Sequence, residues 1–255
     1  MPEPVVRQEV QDRVLHVVLD RPPANALGAP IIEGLCAVAD RLERDDDVKV
    51  AVISSAVDGF FAAGADIKQM GALDPGSFAA YRDALRAPVE RLAVCGKPVL
   101  AAIDGLALGG GLELAMACTL RLATPASRVG LPEVRLGLIP GAGGTQRLPQ
   151  LVGRGRALEI MLSGRQVPAE EAARIGLVDR LVEGDVVAEA LAFAAQLAGY
   201  PSSAMAAIIA CVDAASLTPQ AGMRVEGETV VQMLATGEAG EGIAAFLARR
   251  PAVFA

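Results

Sequence analysis

A chain of 255 residues, 53% of them apolar, is long enough to bury one sizeable core, or one core with a smaller helical appendage, which excludes a disordered chain. A net charge of −7, the lack of any Lys/Arg-rich run and 3% aromatic residues exclude a general nucleic-acid binder, because phosphates need clustered cations and bases need stacking rings. An anionic ligand must therefore be held by local features.

Residues 1–10 alternate charged and apolar side chains and carry neither the basic nor the apolar segment of a secretory leader, so a cytoplasmic location is expected. Residues 5–10 and 14–20 read as a β-hairpin, and Arg21-Pro22-Pro23-Ala24-Asn25 breaks the pattern before a helix over 30–44. The single histidine, His16, sits in the alternating run 14–19 and reads as a strand residue rather than a catalytic base, leaving acid/base chemistry to carboxylates. A buried strand over 48–54 leads to a glycine-bearing loop at 58–64, after which Asp66 offers an N-cap for a short helix through Met70. Helical spacing returns over 75–94, a third apolar strand covers 98–103, and 106–111 leads into a helix over 112–118. The apolar stretch 98–123 is interrupted by Asp104, Glu113 and several glycines, so no membrane span is expected.

Short strands are expected at 119–123 and near Val129. From Gly143 the pattern is mainly helical, broken at Gly164, Gly176, Gly184 and Tyr200-Pro201, with one brief strand at 177–182. This order predicts an α/β core over 1–195 and a helical tail over 196–255, whose alanine-rich helices are too apolar to stand alone in water. No internal repeat is visible. Cys36, Cys95, Cys118 and Cys211 are far apart without C-x-x-C spacing, so neither a metal site nor a disulfide framework is expected.

Two glycine-rich elements stand out: Phe61-Ala62-Ala63-Gly64-Ala65-Asp66-Ile67-Lys68 and Asp104-Gly105-Leu106-Ala107-Leu108-Gly109-Gly110-Gly111-Leu112-Glu113. Both place small residues at a loop-to-helix junction, where free backbone N–H groups and the helix dipole favour an oxyanion. Each also reads as a tight turn or a close packing contact. The second lacks the context of a dinucleotide fingerprint and the Lys-Ser/Thr of a phosphate loop, so no nucleotide cofactor is expected. Neither a G-x-S-x-G elbow nor a Ser-His-Asp set is present. Glu113 interrupts an apolar helical stretch, and Glu133 follows Pro132. Each is either a working acid/base or simply a carboxylate stabilising a helix start.

Together the 61–68 block, Lys97-Pro98 through Glu113, and Pro132-Glu133 through Gly144-Thr145-Gln146-Arg147-Leu148 resemble the signature blocks of the enoyl-CoA hydratase/isomerase (crotonase) family. The likeness continues through Leu162-Ser163-Gly164 and Ala172, Gly176, Leu177 and Val178 to Arg249-Arg250-Pro251-Ala252-Val253-Phe254, covering nearly the whole chain. It implies a crotonase-like spiral of ββα units with a C-terminal helical region for trimer contacts, assembled as a homotrimer or homohexamer. It also implies an acyl-CoA thioester substrate, with no separate cofactor because coenzyme A is part of that substrate.

By this resemblance the Ala65 and Gly110 N–H groups form the oxyanion hole. Ala24, Ala63, Ala65, Asp66 and Ile67 belong to the CoA groove, Lys68 lies near the nucleotide phosphates, and the Gly141 N–H helps fix a water. Glu113 and Glu133 occupy the two positions that act together in hydratases. Glu113 is then expected to work mainly on water and Glu133 on the C2 proton of the enoyl thioester. The block Arg21 to Leu27 is one residue shorter than the common family form, Leu131 replaces a polar residue of some hydratases, and Arg249 stands where some relatives supply a lysine to CoA from a neighbouring subunit. Other activities of the family remain open: an enoyl-CoA isomerase, which needs one base, a carnitinyl-CoA dehydratase, or a decarboxylase. A non-catalytic acyl-CoA-binding protein is the alternative outside enzymology, although retention of both glutamates favours water chemistry.

Overall fold

The structure, a computed structural model, describes residues 4–215, 219–236 and 239–253, so Met1 and Phe254 lie outside the described residues. The first hairpin forms as expected, with β1 (Val6–Gln11) antiparallel to β2 (Val14–Leu19) and Val6 opposite Leu19. Its turn residues Asp12 and Arg13 take φ of 49° and 68°, the left-handed pair that matches a two-residue hairpin to strand twist. Helix α1 (Ala29–Arg44) carries a proline in its first turn and buries Ile31, Leu35, Val38 and Leu42, one stripe at helical spacing.

The chain then runs through β3 (Val50–Ser55), β4 (Phe60–Ala62), α2 (Ile67–Met70), α3 (Pro75–Val94), β5 (Val99–Ile103), β6 (Leu106–Leu108) and α4 (Gly110–Ala117). It continues with β7 (Leu120–Ala123), β8 (Arg128–Gly130), a 3-10 turn (Glu133–Leu136), α5 (Gly144–Val152), α6 (Arg154–Ser163), β9 (Val167–Pro168), α7 (Ala169–Arg174) and β10 (Arg180–Leu181). Strands β4, β6 and β9 were not expected from the sequence: three, three and two residues long, they are too short for alternation to register.

Strands β1-β2-β3-β5-β7-β10 form one sheet and β4-β6-β8-β9 a second. Successive pairs β3–β4, β5–β6 and β7–β8 each give one strand to each sheet before a helical segment, and each stacks parallel on the turn before. The chain is thus a spiral of ββα turns. The repeat is invisible in sequence because one turn carries the twenty-residue α3 and the next the eight-residue α4. What recurs is the alternation of faces: Ala51 and Ile53 of β3 face the core with α1, while Val50 and Val52 pack with Ala190 and Ala194 of α8 (Val186–Ala198). Each such Val or Ile contributes roughly 1.5–3 kcal/mol by leaving water.

Helix α8 lies on the large sheet and crosses the 195/196 division. Beyond it come α9 (Ser202–Ala214), α10 (Pro219–Thr236) and α11 (Ala239–Leu247). In this region Ile208, Val212, Ile243, Phe246 and Leu247 are exposed. No single helix among the described residues is long and apolar enough to cross a membrane; α8 and α9 pass that test only as a pair bent by 108°. His16 is a strand residue, its Nε2 2.8 Å from Ser54 Oγ, in a pocket walled by Glu9, Leu191 and Ala195.

Candidate active site

Strands β4 and β6 are parallel neighbours, so the two glycine-rich junctions that follow them lie side by side. After β4 the chain turns at Gly64, with φ +95°, where an added Cβ would come 2.8 Å from the Leu108 carbonyl oxygen. A larger residue there would push the junctions apart. Leu27 N–H donates to Gly64 O at 2.7 Å, fixing the approach of the 21–28 segment. Asp66 then caps α2 by accepting from Gln69 N–H and pairs with Arg21 at 2.8 Å. The Arg21 hydrogen bond and that N–H hold its carboxyl below the usual range. The Tyr81 hydroxyl accepts from Asp66 N–H and donates to Leu27 O, tying α3 to the same junction.

After β6 the chain turns at Gly109, with φ +52°, and starts α4 at Gly110. Gly111 packs its Cα on the Ala62 carbonyl, leaving no space for a Cβ. A Cβ added to Gly110 would sit 3.6 Å from Ala65 N, so the two backbone nitrogens border one small volume. Gly110 is the first residue of its helix and its N–H has no intrahelical acceptor. On either side of Ala65, the Ala63 and Asp66 N–H groups are used by Ala24 O and Tyr81 Oη.

Glu113, one turn into α4, is 2% exposed. Its Oε1 accepts from Ala142 N–H at 2.7 Å and Gly144 N–H at 2.8 Å, the donors of the loop that opens α5. Burial pushes its carboxyl above the ordinary range, while the two N–H groups and the Arg147 charge pull it back. Glu133 opens the 3-10 turn. Burial pushes its carboxyl up to about 7, its own backbone N–H opposing and the Glu113 charge adding. Its Oε2 is buried without a hydrogen-bond partner, and its Oε1 lies where a Cβ on Gly109 would be 2.9 Å away. The two carboxyls differ in solvation within one site.

Both line a cavity of about 110 Å³, well beyond the ~10–15 Å³ that one water requires. Of the residues singled out from sequence, Ala63, Ala65, Ile67, Gly110, Glu113, Glu133 and Gly141 share its wall, whereas Ala24, Asp66 and Lys68 do not line it. Lys68 is exposed on α2, and Ala24 is half-buried with its carbonyl bonded to Ala63 N–H. Sequence reasoning pointed to the segment 71–85 and the helical tail for the pocket floor without singling out residues; Phe78, Tyr81, Arg82 and Leu85 of α3 line the cavity, and the Ala142 and Gly144 donors were not assigned. The spacing 78, 81, 82, 85 is one helical face and was the available signal. Among the described residues, none of the C-terminal helices reaches this cavity.

The model of the family described as enoyl-CoA hydratase/isomerase matches residues 9–255. A Rhizobium meliloti (strain 1021) protein named "Probable enoyl-CoA hydratase" is 41% identical over 249 residues, 96% of each chain. A Bacillus subtilis (strain 168) protein of the same name is 38% identical over 251 residues, again 96% of each. The crystal structure of enoyl-CoA hydratase from Bacillus anthracis superposes with a TM-score of 0.94 at 30% identity, covering 98% of each chain. With the spiral of ββα turns, the paired junctions and these likenesses along its length, the chain belongs to the enoyl-CoA hydratase/isomerase family.

Proposed function

We propose that the protein is an enoyl-CoA hydratase, a hydro-lyase that reversibly adds water across the 2,3 double bond of a trans-2-enoyl-CoA in acyl-CoA degradation. The observation that carries this reading is the pair of differently solvated carboxyls, Glu113 and Glu133, in one cavity with the Ala65 and Gly110 nitrogens. The thioester oxygen accepts from those two N–H groups, which act where negative charge develops; losing one such donor costs ~3 kcal/mol of barrier. Glu113, anionic and held by two backbone donors, takes a proton from water as its oxygen bonds to C3. Electron density moves to the thioester oxygen, and Glu133, protonated through its burial, delivers its proton to C2 as the carbonyl re-forms. Dehydration runs the same steps backward.

The CoA moiety follows the 61–68 block, with Ala24, Ala63, Ala65, Asp66, Ile67 and Lys68 along its path and Gly141 beside the attacking water. Asp66 serves this path indirectly: paired with Arg21 and capping α2, it fixes the junction. No metal or organic cofactor takes part. The apolar residues exposed in the 196–255 region support its role as an oligomerisation region on a 1–195 catalytic core, giving a homotrimer or a dimer of trimers in the cytoplasm. The decisive test is purified protein with trans-2-enoyl-CoAs of graded chain length, with and without chelator, following loss of the conjugated thioester absorbance. Metal-independent hydration is expected. Tight binding without turnover would instead mark an acyl-CoA-binding protein.

A further inference from the structure

Arg147 is not assigned by the mechanism above, yet its guanidinium lies directly behind the loop that holds Glu113. It sits on α5 with its side chain 17% exposed. One nitrogen, Nη1, donates to Ala142 O at 3.1 Å, and Nη2 pairs with Glu90 of α3 at 3.4 Å. Between them Gly143 takes φ +107°, and any Cβ there would strike Nη1, so the loop is folded onto the guanidinium. Ala142 is thus held from both sides: its carbonyl by Arg147, and its N–H by Glu113 Oε1 at 2.7 Å. Gly144 N–H reaches the same oxygen at 2.8 Å.

We propose that Arg147 is a positioning residue for hydration, clamping the 142–144 loop so that the Ala142 and Gly144 N–H groups stay aimed at one oxygen of Glu113. This rests on the reading of Glu113 as the group that accepts the water proton. A planar fork braced between a carbonyl and a carboxylate orients a loop in a way that a flexible ammonium does not. The guanidinium also favours the anionic carboxylate of Glu113 through its charge. The other charged or titratable groups facing the site are Glu133 from the 3-10 turn and Tyr81 and Arg82 from α3. Arg86 of α3 shares the outer partner Glu90.

Arg147→Gln tests the clamp by two routes. Amide hydrogen exchange at Ala142 and Gly144 is expected to speed up, a readout that needs no turnover. In the hydration assay kcat is expected to fall ~10–100-fold, the scale of an ångström-level misplacement, with KM near wild type. The acid limb of the kcat/KM profile is expected to move to higher pH, because loss of a nearby cation makes Glu113 easier to protonate. Arg147→Lys is expected to return that limb toward wild type while leaving kcat depressed. Wild-type exchange and wild-type kcat in Arg147→Gln overturn the proposal, as does a loss confined to KM. If the wild type protects both amides but hydrates nothing, the clamp stands and the assigned reaction falls. Should Arg147→Gln not fold, Glu90→Gln, which removes the charge of the outer brace and of the exposed Arg86 pair but leaves Arg147 in place, is expected to speed exchange at the same amides; unchanged exchange there also overturns the proposal.

Discussion

Glu113 and Glu133 face the same cavity from two kinds of support. Glu113 projects from the first turn of a buried helix, and one of its oxygens is fixed by two backbone donors of a loop that is itself braced by Arg147. Glu133 projects from a single 3-10 turn, with one oxygen against Gly109 and the other buried without a partner. The first arrangement favours a carboxylate, since each N–H rewards negative charge. The second favours the neutral acid, because only its own backbone N–H offsets the water lost on burial and Oε2 has no partner. Burial thus raises both carboxyls, but the two N–H donors and the Arg147 charge hold Glu113 back while Glu133 rises further, and that separation is what one reversible hydration requires.

The comparison breaks most visibly if either group is removed. Glu113→Gln and Glu133→Gln are each expected to lower turnover by ~10²–10⁴-fold, the usual cost of losing a positioned acid or base, while affinity for a substrate analogue changes far less. Because the two act on one reaction, the double variant is expected to lose much less than the product of the single losses. Near-normal hydration by a correctly folded Glu133→Gln would end the two-carboxylate account. Tolerance of Glu113→Gln alone would point to one-base isomerase chemistry, checked with a 3-enoyl-CoA.

Smaller perturbations probe the two supports separately. An alanine at Gly109 places its Cβ against Glu133 Oε1, the movable end of a side chain, at a backbone position with positive φ. The backbone strain is expected to cost ~1–3 kcal/mol of stability, and in the folded variant Glu133 is displaced and kcat falls ~10–100-fold. An alanine at Gly144 meets the Pro140 ring at 2.8 Å and Leu131 at 3.0 Å as well as Glu113 Oε1. That packing has less freedom, so Gly144→Ala is expected to lose ~1–3 kcal/mol of stability, read by denaturant unfolding. A folded Gly109→Ala with wild-type kcat would contradict the contact that places Glu133 against Gly109.

The smallest effect concerns stability and has the opposite sign. A carboxyl whose folded-state pKa is raised from 4.5 to about 7 contributes most favourably below about 4.5 and becomes a burden as pH rises toward about 7. Glu133→Gln removes that burden. At neutral pH it is expected to be more stable than wild type by ~1–2 kcal/mol, a figure discounted for partial exposure, with a flatter pH dependence over that window. Thermal unfolding across that range checks it, and a less stable variant at pH 7 would contradict the assignment.

Much of this site was legible in the chain before the fold was known, for particular reasons. Asp66 announced its own helix start because a capping carboxylate acts locally. Gly109 to Gly111 announced a close approach because only glycine tolerates the Ala62 carbonyl and the positive φ found there. The glutamates were legible through their company: small residues before Glu113, and Pro132 before Glu133. The α3 wall was harder, because Phe78, Tyr81 and Leu85 share their helix with Arg82, Asp83 and Arg86, and a mixed helix does not say which face meets a cavity. The support of Glu113 by Ala142 and Gly144 is carried by backbone, which leaves no mark on residue type. The CoA path drawn by resemblance from the 61–68 block includes Ala65, Asp66 and Lys68, and residue type alone does not say which of them lines the cavity. The fold uses Asp66 to pin Arg21 and the α2 start, and leaves Lys68 on the surface.

The division of labour between the two glutamates is tested most directly by an NMR titration of the side-chain carboxyl carbons in labelled protein, with Gln variants assigning the signals. The account predicts that the first protonation step of the coupled pair as pH is lowered, near pH 7, resides mainly on Glu133, while Glu113 stays ionised to lower pH. A Glu133 signal that titrates in the ordinary carboxylate range, or a reversed order of the two, would contradict it.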